Sequence, residues 1–183
     1  MKKITSILSI MAVSAVFSTS ALAQQTATAT TPASTTTIVA PITISNEFAL
    51  TFGSFATTSA EGILTISPTG GRLATGGVTI TGNDVTGTAA DFTVGGEAGY
   101  TYAITIPASL SLTTEATGIG TDSSEVMTVN SFLTSLTDGA RVGLLTGGSE
   151  SFTVGGKLNV NANQTVGSYT SGTAGFAVTV NYN

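Results

Sequence analysis

Apolar and polar residues alternate in short runs along most of the chain, and the runs stop at glycine, asparagine, aspartate, serine or proline. A period of two sends successive side chains to opposite faces, so each run predicts a half-buried β-strand. Residues 38–44 open the series, and Pro41 within them marks an edge strand or a kink, because proline has no N–H for a neighbouring strand. Residues 48–52 follow and close at Gly53, and residues 63–66 end at Ser67-Pro68-Thr69-Gly70-Gly71, a strong turn signal. Residues 78–80 run into Gly82-Asn83-Asp84, and residues 89–94 into Gly95-Gly96. Residues 100–106 form the cleanest internal alternation, stopped by Pro107, and residues 110–112, 126–129, 142–145, 152–154 and 158–160 continue the series. The last nine residues, 175–183, read as a strand with Phe176, Val178, Val180 and Tyr182 on one face and Ala177, Thr179 and Asn181 on the other. A strand of this kind is expected either to close its own sheet or to be held by a partner. Helix is barely supported, since glycine and threonine interrupt nearly every window and no 3.6-residue stripe lasts beyond two turns. Short strands with glycine-rich turns predict an all-β sandwich or small barrel with about 8–11 strands.

The N-terminal end of the chain differs in texture from this. Lys2 and Lys3, the apolar stretch 4–17 and Ala21-Leu22-Ala23 have the three parts of a secretory signal peptide, which predicts cleavage after residue 23. The apolar run is too short for a membrane anchor and is broken by Ser6, Ser9 and Ser14. Residues 24–37 are low-complexity threonine, alanine and serine, expected to form a disordered leader ahead of a single domain over 38–183. The expected location is the periplasm, the cell surface or the medium, with no integral membrane segment left after cleavage.

Charge narrows the partners. Without Lys2 and Lys3 the bases are Arg72, Arg141 and Lys157 against ten acids, a net of 3 − 10 = −7. Nucleic acid and anionic membrane surfaces both need clustered Lys and Arg, so neither is an expected partner. There is no cysteine, so stability has to come from the core without disulfides.

Catalytic equipment is thin. Histidine, cysteine and tryptophan are absent, which removes the ordinary Ser-His-Asp triad, the imidazole base, the thiol nucleophile and the thiolate metal site. The ten acids sit mostly singly beside turns, where they read as solubility and edge protection. The densest group, Asp122-Ser123-Ser124-Glu125, lacks the ligand spacing and glycine of a calcium loop. No enzyme activity, catalytic residue, metal or cofactor is therefore expected. One short motif occurs twice, as Phe92-Thr93-Val94-Gly95-Gly96 and Phe152-Thr153-Val154-Gly155-Gly156. Each copy reads as a strand ending in a Gly-Gly corner, and no helix follows either pair as a phosphate-binding loop would need.

Several segments together resemble an exported bacterial family, domain-of-unknown-function family 4402. They are Leu50-Thr51-Phe52-Gly53-Ser54-Phe55, Gly62-Ile63-Leu64-Thr65-Ile66 with Pro68-Thr69-Gly70, and Phe92-Thr93-Val94-Gly95 leading to residues 100–107. Met127-Thr128-Val129-Asn130-Ser131-Phe132, residues 154–160 with Gln164 and Gly167-Ser168-Tyr169, and residues 176–183 complete the set. The resemblance brings no catalytic residues. More distantly the chain is similar to chaperone–usher pilins and spore-coat-U-like subunits, which implies an immunoglobulin-like, pilin-like antiparallel sandwich. In that wider group an N-terminal extension completes the sheet of a neighbouring subunit, and a periplasmic chaperone first holds the C-terminal strand. The residues this implies are Phe176, Val178, Val180 and Tyr182 in the last strand, and Ile38, Ala40, Ile42 and Ile44 in an N-terminal one. The chain departs from the wider group in lacking a cysteine pair, in the long stretch 170–175, and in a leader poor in large apolar residues. The expected function is thus a structural surface subunit acting through self-assembly, with a secreted carbohydrate-binding or adhesive module as the alternative.

Overall fold

In a computed structural model, residues 28–30, 32–82, 86–114, 122–137 and 140–183 are described. The expected signal peptide and the Asn83-Asp84 turn lie outside them. Among the described residues ten β-strands form: β1 (Thr43–Phe48), β2 (Phe55–Ile66), β3 (Arg72–Ile80), β4 (Ala90–Gly95), β5 (Thr101–Thr105), β6 (Ser109–Thr113), β7 (Val126–Thr134), β8 (Val142–Leu144), β9 (Ser149–Val160) and β10 (Thr179–Tyr182). Every pairing is antiparallel. The larger sheet runs β1-β4-β9-β2-β3, with β7 on β9 and β6 on β7, and the smaller runs β10-β5-β8. The all-β sandwich read from the alternation is the fold.

β9 organises the larger sheet. Val154 pairs with both Ala90 of β4 and Thr134 of β7, and Asn159 pairs with both Ile63 of β2 and Thr128 of β7. Hence β7 follows one edge of β9, while β4 and then β2 succeed each other along the other. Gly155 stands where that change occurs. A Cβ there would land on the Ile66 carbonyl oxygen, because β2 turns away into the 67–71 turn at that point. The Gly155-Gly156 pair is therefore inside a strand and not at its end, and the separate strands expected at 152–154 and 158–160 are one. Gly95 does end β4, as expected.

The twin motifs meet. Phe92 pairs directly with Phe152, their rings stacked at 5.5 Å, and Phe176 stands edge-on to Phe92 at 6.1 Å and stacks on Phe132 at 5.2 Å. Around them Leu64, Ile66, Val94, Val129, Val154 and Leu158 are fully buried. Burial at this level is the main source of stability in a chain without disulfides, at roughly 1.5–3 kcal/mol for each large side chain.

Other boundaries shift for identifiable reasons. The strand expected at 38–44 is displaced to Thr43–Phe48, because Pro41 lacks an N–H and the backbone of Ala40 is engaged elsewhere. Of residues 48–52, Phe48 ends β1 opposite Asp91 and Thr51 makes a single bridge to Thr88. β2 extends back to Phe55 across an irregularity between Thr57 and Gly62, which hides the alternation of that half. Leader residues 28–30 and 32–37 are exposed and carry no regular structure. They belong to a unit, Met1–Thr37, separate from Ile38–Asn183.

Candidate functional site

β10 places the C-terminal residues. Val180 is buried, and Phe176, Val178 and Tyr182 are half-buried against the core, so the four share the face that the alternation assigns them. The strand itself is shorter than 175–183. Asn183 donates its N–H to the Thr101 carbonyl, so the bonded pairs of the ladder are 183/101, 181/103 and 179/105. Val180 and Tyr182 accordingly turn their backbone groups outward, along an edge that no strand among the described residues pairs.

The residues expected in an N-terminal strand are not gathered into one. Ile38 is 92 % exposed and Ala40 is exposed, whereas Ile42 and Ile44 pack against the core, with Ile44 opposite Val94 in β1. Ala40 instead meets the last strand. The Tyr182 hydroxyl donates to the Ala40 carbonyl at 2.8 Å and accepts from the Glu97 N–H at 2.7 Å. Ala40 N–H donates to Glu97 Oε2 at 2.9 Å. Gly96 makes this possible, since a Cβ there would occupy the position of the Tyr182 hydroxyl.

A cavity of about 1170 Å³ is a feature that the sequence did not announce. Ala90, Phe92, Leu110, Leu112, Met127, Val129 and Leu158 of the larger sheet line it, with residues 49–57, 164–171 and 175–176. The space lies between the sheet and the segments facing it, and is large enough to take up a small molecule or side chains of another chain. Among the described residues none that lines it is charged. Its other wall is held by a buried amide: Gln164 Nε2 donates to the Ser124 carbonyl at 2.7 Å and its Oε1 accepts from Asn161 N–H at 3.2 Å. The Tyr169 hydroxyl bridges the same Ser124 carbonyl and the Thr165 carbonyl. Gln164 is 6 % exposed, and its many partners offset the cost of burying an amide.

β6 borders the cavity with a second open edge. Thr113 exchanges both backbone bonds with Thr170, so the residues facing outward are Thr113, Ser111 and Ser109. Beyond the single Thr113–Thr170 bridge, no strand among the described residues pairs with that edge.

The acids do not converge. Among the described residues no three of His, Cys, Asp and Glu stand close enough to hold a metal ion. One carboxylate is built into the fold: Glu150 Oε2 accepts from the buried Tyr102 hydroxyl at 2.9 Å. Burial, followed by the bond to Glu150 and its charge, raises the ionisation of that phenol well above the usual tyrosine range. Sequence reasoning singled out neither Gln164 nor Glu150 for these roles, because both act through partners more than thirty residues away.

No helix among the described residues is long and apolar enough to cross a membrane, which leaves strand-built spans unaddressed. No curated protein and no solved structure matches the chain. Residues 42–182 match the family described as domain of unknown function (DUF4402), and the chain belongs to that family.

Proposed function

We propose that this DUF4402 member is an exported structural subunit, pilin-like or coat-like, that assembles by taking a β-strand from a partner. The observation that supports this is the uncharged cavity of about 1170 Å³ beside the open outer edge of β6. An added strand gains main-chain hydrogen bonds along a free edge and sends every second side chain into a pocket. Ser109 and Ser111 supply the edge, and Leu110 and Leu112, between them, line the space that such side chains would fill. Because the lining has no charge, the incoming face has to be apolar or neutral. The partner is a second copy or a periplasmic chaperone, and the export signal read at residues 1–23 supports a site of action beyond the inner membrane. This role needs no catalytic group.

Electron microscopy of surface-sheared material, together with sedimentation of purified protein, tests the reading. Leu112→Lys places a charge in the cavity and is expected to abolish assemblies while the circular dichroism stays β-rich. Wild-type protein that remains monomeric at high concentration and forms no surface polymers would sink it. A ligand-binding module is the second reading, favoured by a cavity of about 1170 Å³, of the same order as the roughly 300–1,000 Å³ of small-molecule sites. The Leu, Met, Val and Phe side chains of the lining suit a lipid-like ligand, and its Ser, Thr, Asn and Gln residues a carbohydrate. A glycan array and an organic extract of the purified protein, both blank, would remove it.

A further inference from the structure

The two outer edges of the smaller sheet are built differently. Along β8, Leu145 N–H donates to the Tyr100 carbonyl and Ile104 N–H to the Arg141 carbonyl, so residues 141, 143 and 145 face β5. Val142 and Leu144 therefore direct their N–H groups away from the sheet. Both side chains are about half exposed, at 51 % and 46 %, which gives this edge an apolar character. Such an edge invites pairing with another chain.

Leu144 N–H is not left open. It donates to Glu150 Oε2 at 2.9 Å, and the same oxygen accepts from the Tyr102 hydroxyl at 2.9 Å. Tyr102 is fully buried, and it reaches the carboxylate beneath Gly143, where a Cβ would strike both the Tyr102 ring and the Glu150 carboxylate. Four residues from three strands, Tyr102 of β5, Gly143 and Leu144 of β8 and Glu150 of β9, thus place one carboxylate oxygen on the outward N–H of an edge strand. Another strand approaching β8 would have to displace that bond and lay its backbone against a carboxylate losing its water, both unfavourable. Among the described residues no side chain guards Val180 of β10 in the same way.

We propose that Glu150 is a specificity-determining residue that closes the β8 edge to added strands, so that pairing partners are accepted only elsewhere on the subunit. The closure stands on the β8 geometry alone, whereas the selection of another edge rests on the strand-pairing reading above. Glu150→Ala frees Leu144 N–H. Sedimentation velocity is expected to show half-association at a concentration at least about tenfold lower than for the wild type, a difference of roughly 1.4 kcal/mol.

Two companion variants separate unguarding from simple destabilisation. Tyr102→Phe removes the hydroxyl but keeps the Glu150–Leu144 bond, and should associate like the wild type. Glu150→Ala combined with Leu144→Pro removes the freed N–H, which β5 does not use, and should return association to the wild-type level. The proposal is overturned if Glu150→Ala associates no more than the wild type, if Tyr102→Phe associates as strongly as Glu150→Ala, or if the proline fails to reverse the effect. Leu112→Lys in the wild-type background reports on the assembly reading separately. If that variant assembles normally, the cavity is not the accepting site, and the Glu150 results still decide whether β8 is guarded.

Discussion

The hydroxyl of Tyr182 donates to the carbonyl oxygen of Ala40 at 2.8 Å across 142 positions of sequence, and Glu97 closes the contact from both sides through its N–H and its carboxylate. Three remote segments are held by three hydrogen bonds around one phenol. Tyr182→Phe keeps the ring, which stands edge-on to Tyr100 at 5.6 Å, and removes two of those bonds. It should destabilise the monomer by about 1–3 kcal/mol in urea unfolding. An unchanged midpoint would show that the hydroxyl contributes nothing.

Alkaline unfolding should report on Tyr102. Its ionisation is raised in the folded protein, first by burial and then by Glu150, above the ordinary value of 10.0 that it regains on unfolding. The folded state then holds the proton longer than the unfolded one. Stability from this group is whole below the unfolded value and is lost as pH rises through it toward the folded value. Urea midpoints for wild type should therefore fall between neutral pH and about pH 11 more steeply than for Tyr102→Phe. Parallel curves would contradict the assignment.

Gly155 should tolerate no side chain, whereas Gly82 should. A Cβ at Gly155 meets backbone of the β2 end, which has no side chain to move aside, while nothing lies within 4 Å of one at Gly82. Gly155→Ala is expected to cost about 1–3 kcal/mol, as overpacking does. Gly82→Ala should fall within about 0.5 kcal/mol of wild type. Thermal unfolding of the pair decides the point.

Filling the cavity should separate stability from assembly. Leu112→Phe adds volume where the interior has room, so the isolated subunit should melt at the wild-type temperature or higher. The same ring occupies space that an added strand would need, and assemblies should become fewer. At Val154, fully buried between β4 and β7, the same enlargement should cost about 1–3 kcal/mol. A destabilised Leu112→Phe subunit would mean that the space is not free in solution.

Strand existence was legible wherever alternation was local. Residues 100–106 and 89–94 appear as β5 and β4 within a residue or so, and the 67–71 turn closes through Ser67 and Gly71 as its composition suggests. The face shared by Phe176, Val178, Val180 and Tyr182 was legible for the same reason. What alternation does not carry is the partner. Nothing in residues 149–160 states that they form one strand with three neighbours, since the glycine pair in the middle looks like punctuation until β2 is seen to need the space. The N-terminal residues misled in the opposite direction. Ile38 to Ile44 alternate well, but Pro41 and the Tyr182 clamp on Ala40 push the strand forward. The cavity left no local trace, because Leu112, Phe92 and Leu158 have the same pattern whether the opposite layer is present or missing.

The central position of β9 has a temporal consequence. β4 and β2 never pair with each other; each is joined to the larger sheet through β9, as is β7. A chain delivered N-terminus first therefore presents β1 to β7 as separate hairpins and loose strands until residues 149–160 emerge. Contacts so distant in sequence make closure slow and late. The sheet is completed in one stroke near the end of delivery, so a truncation before Ser149 leaves no smaller native unit behind, only strands without their common neighbour.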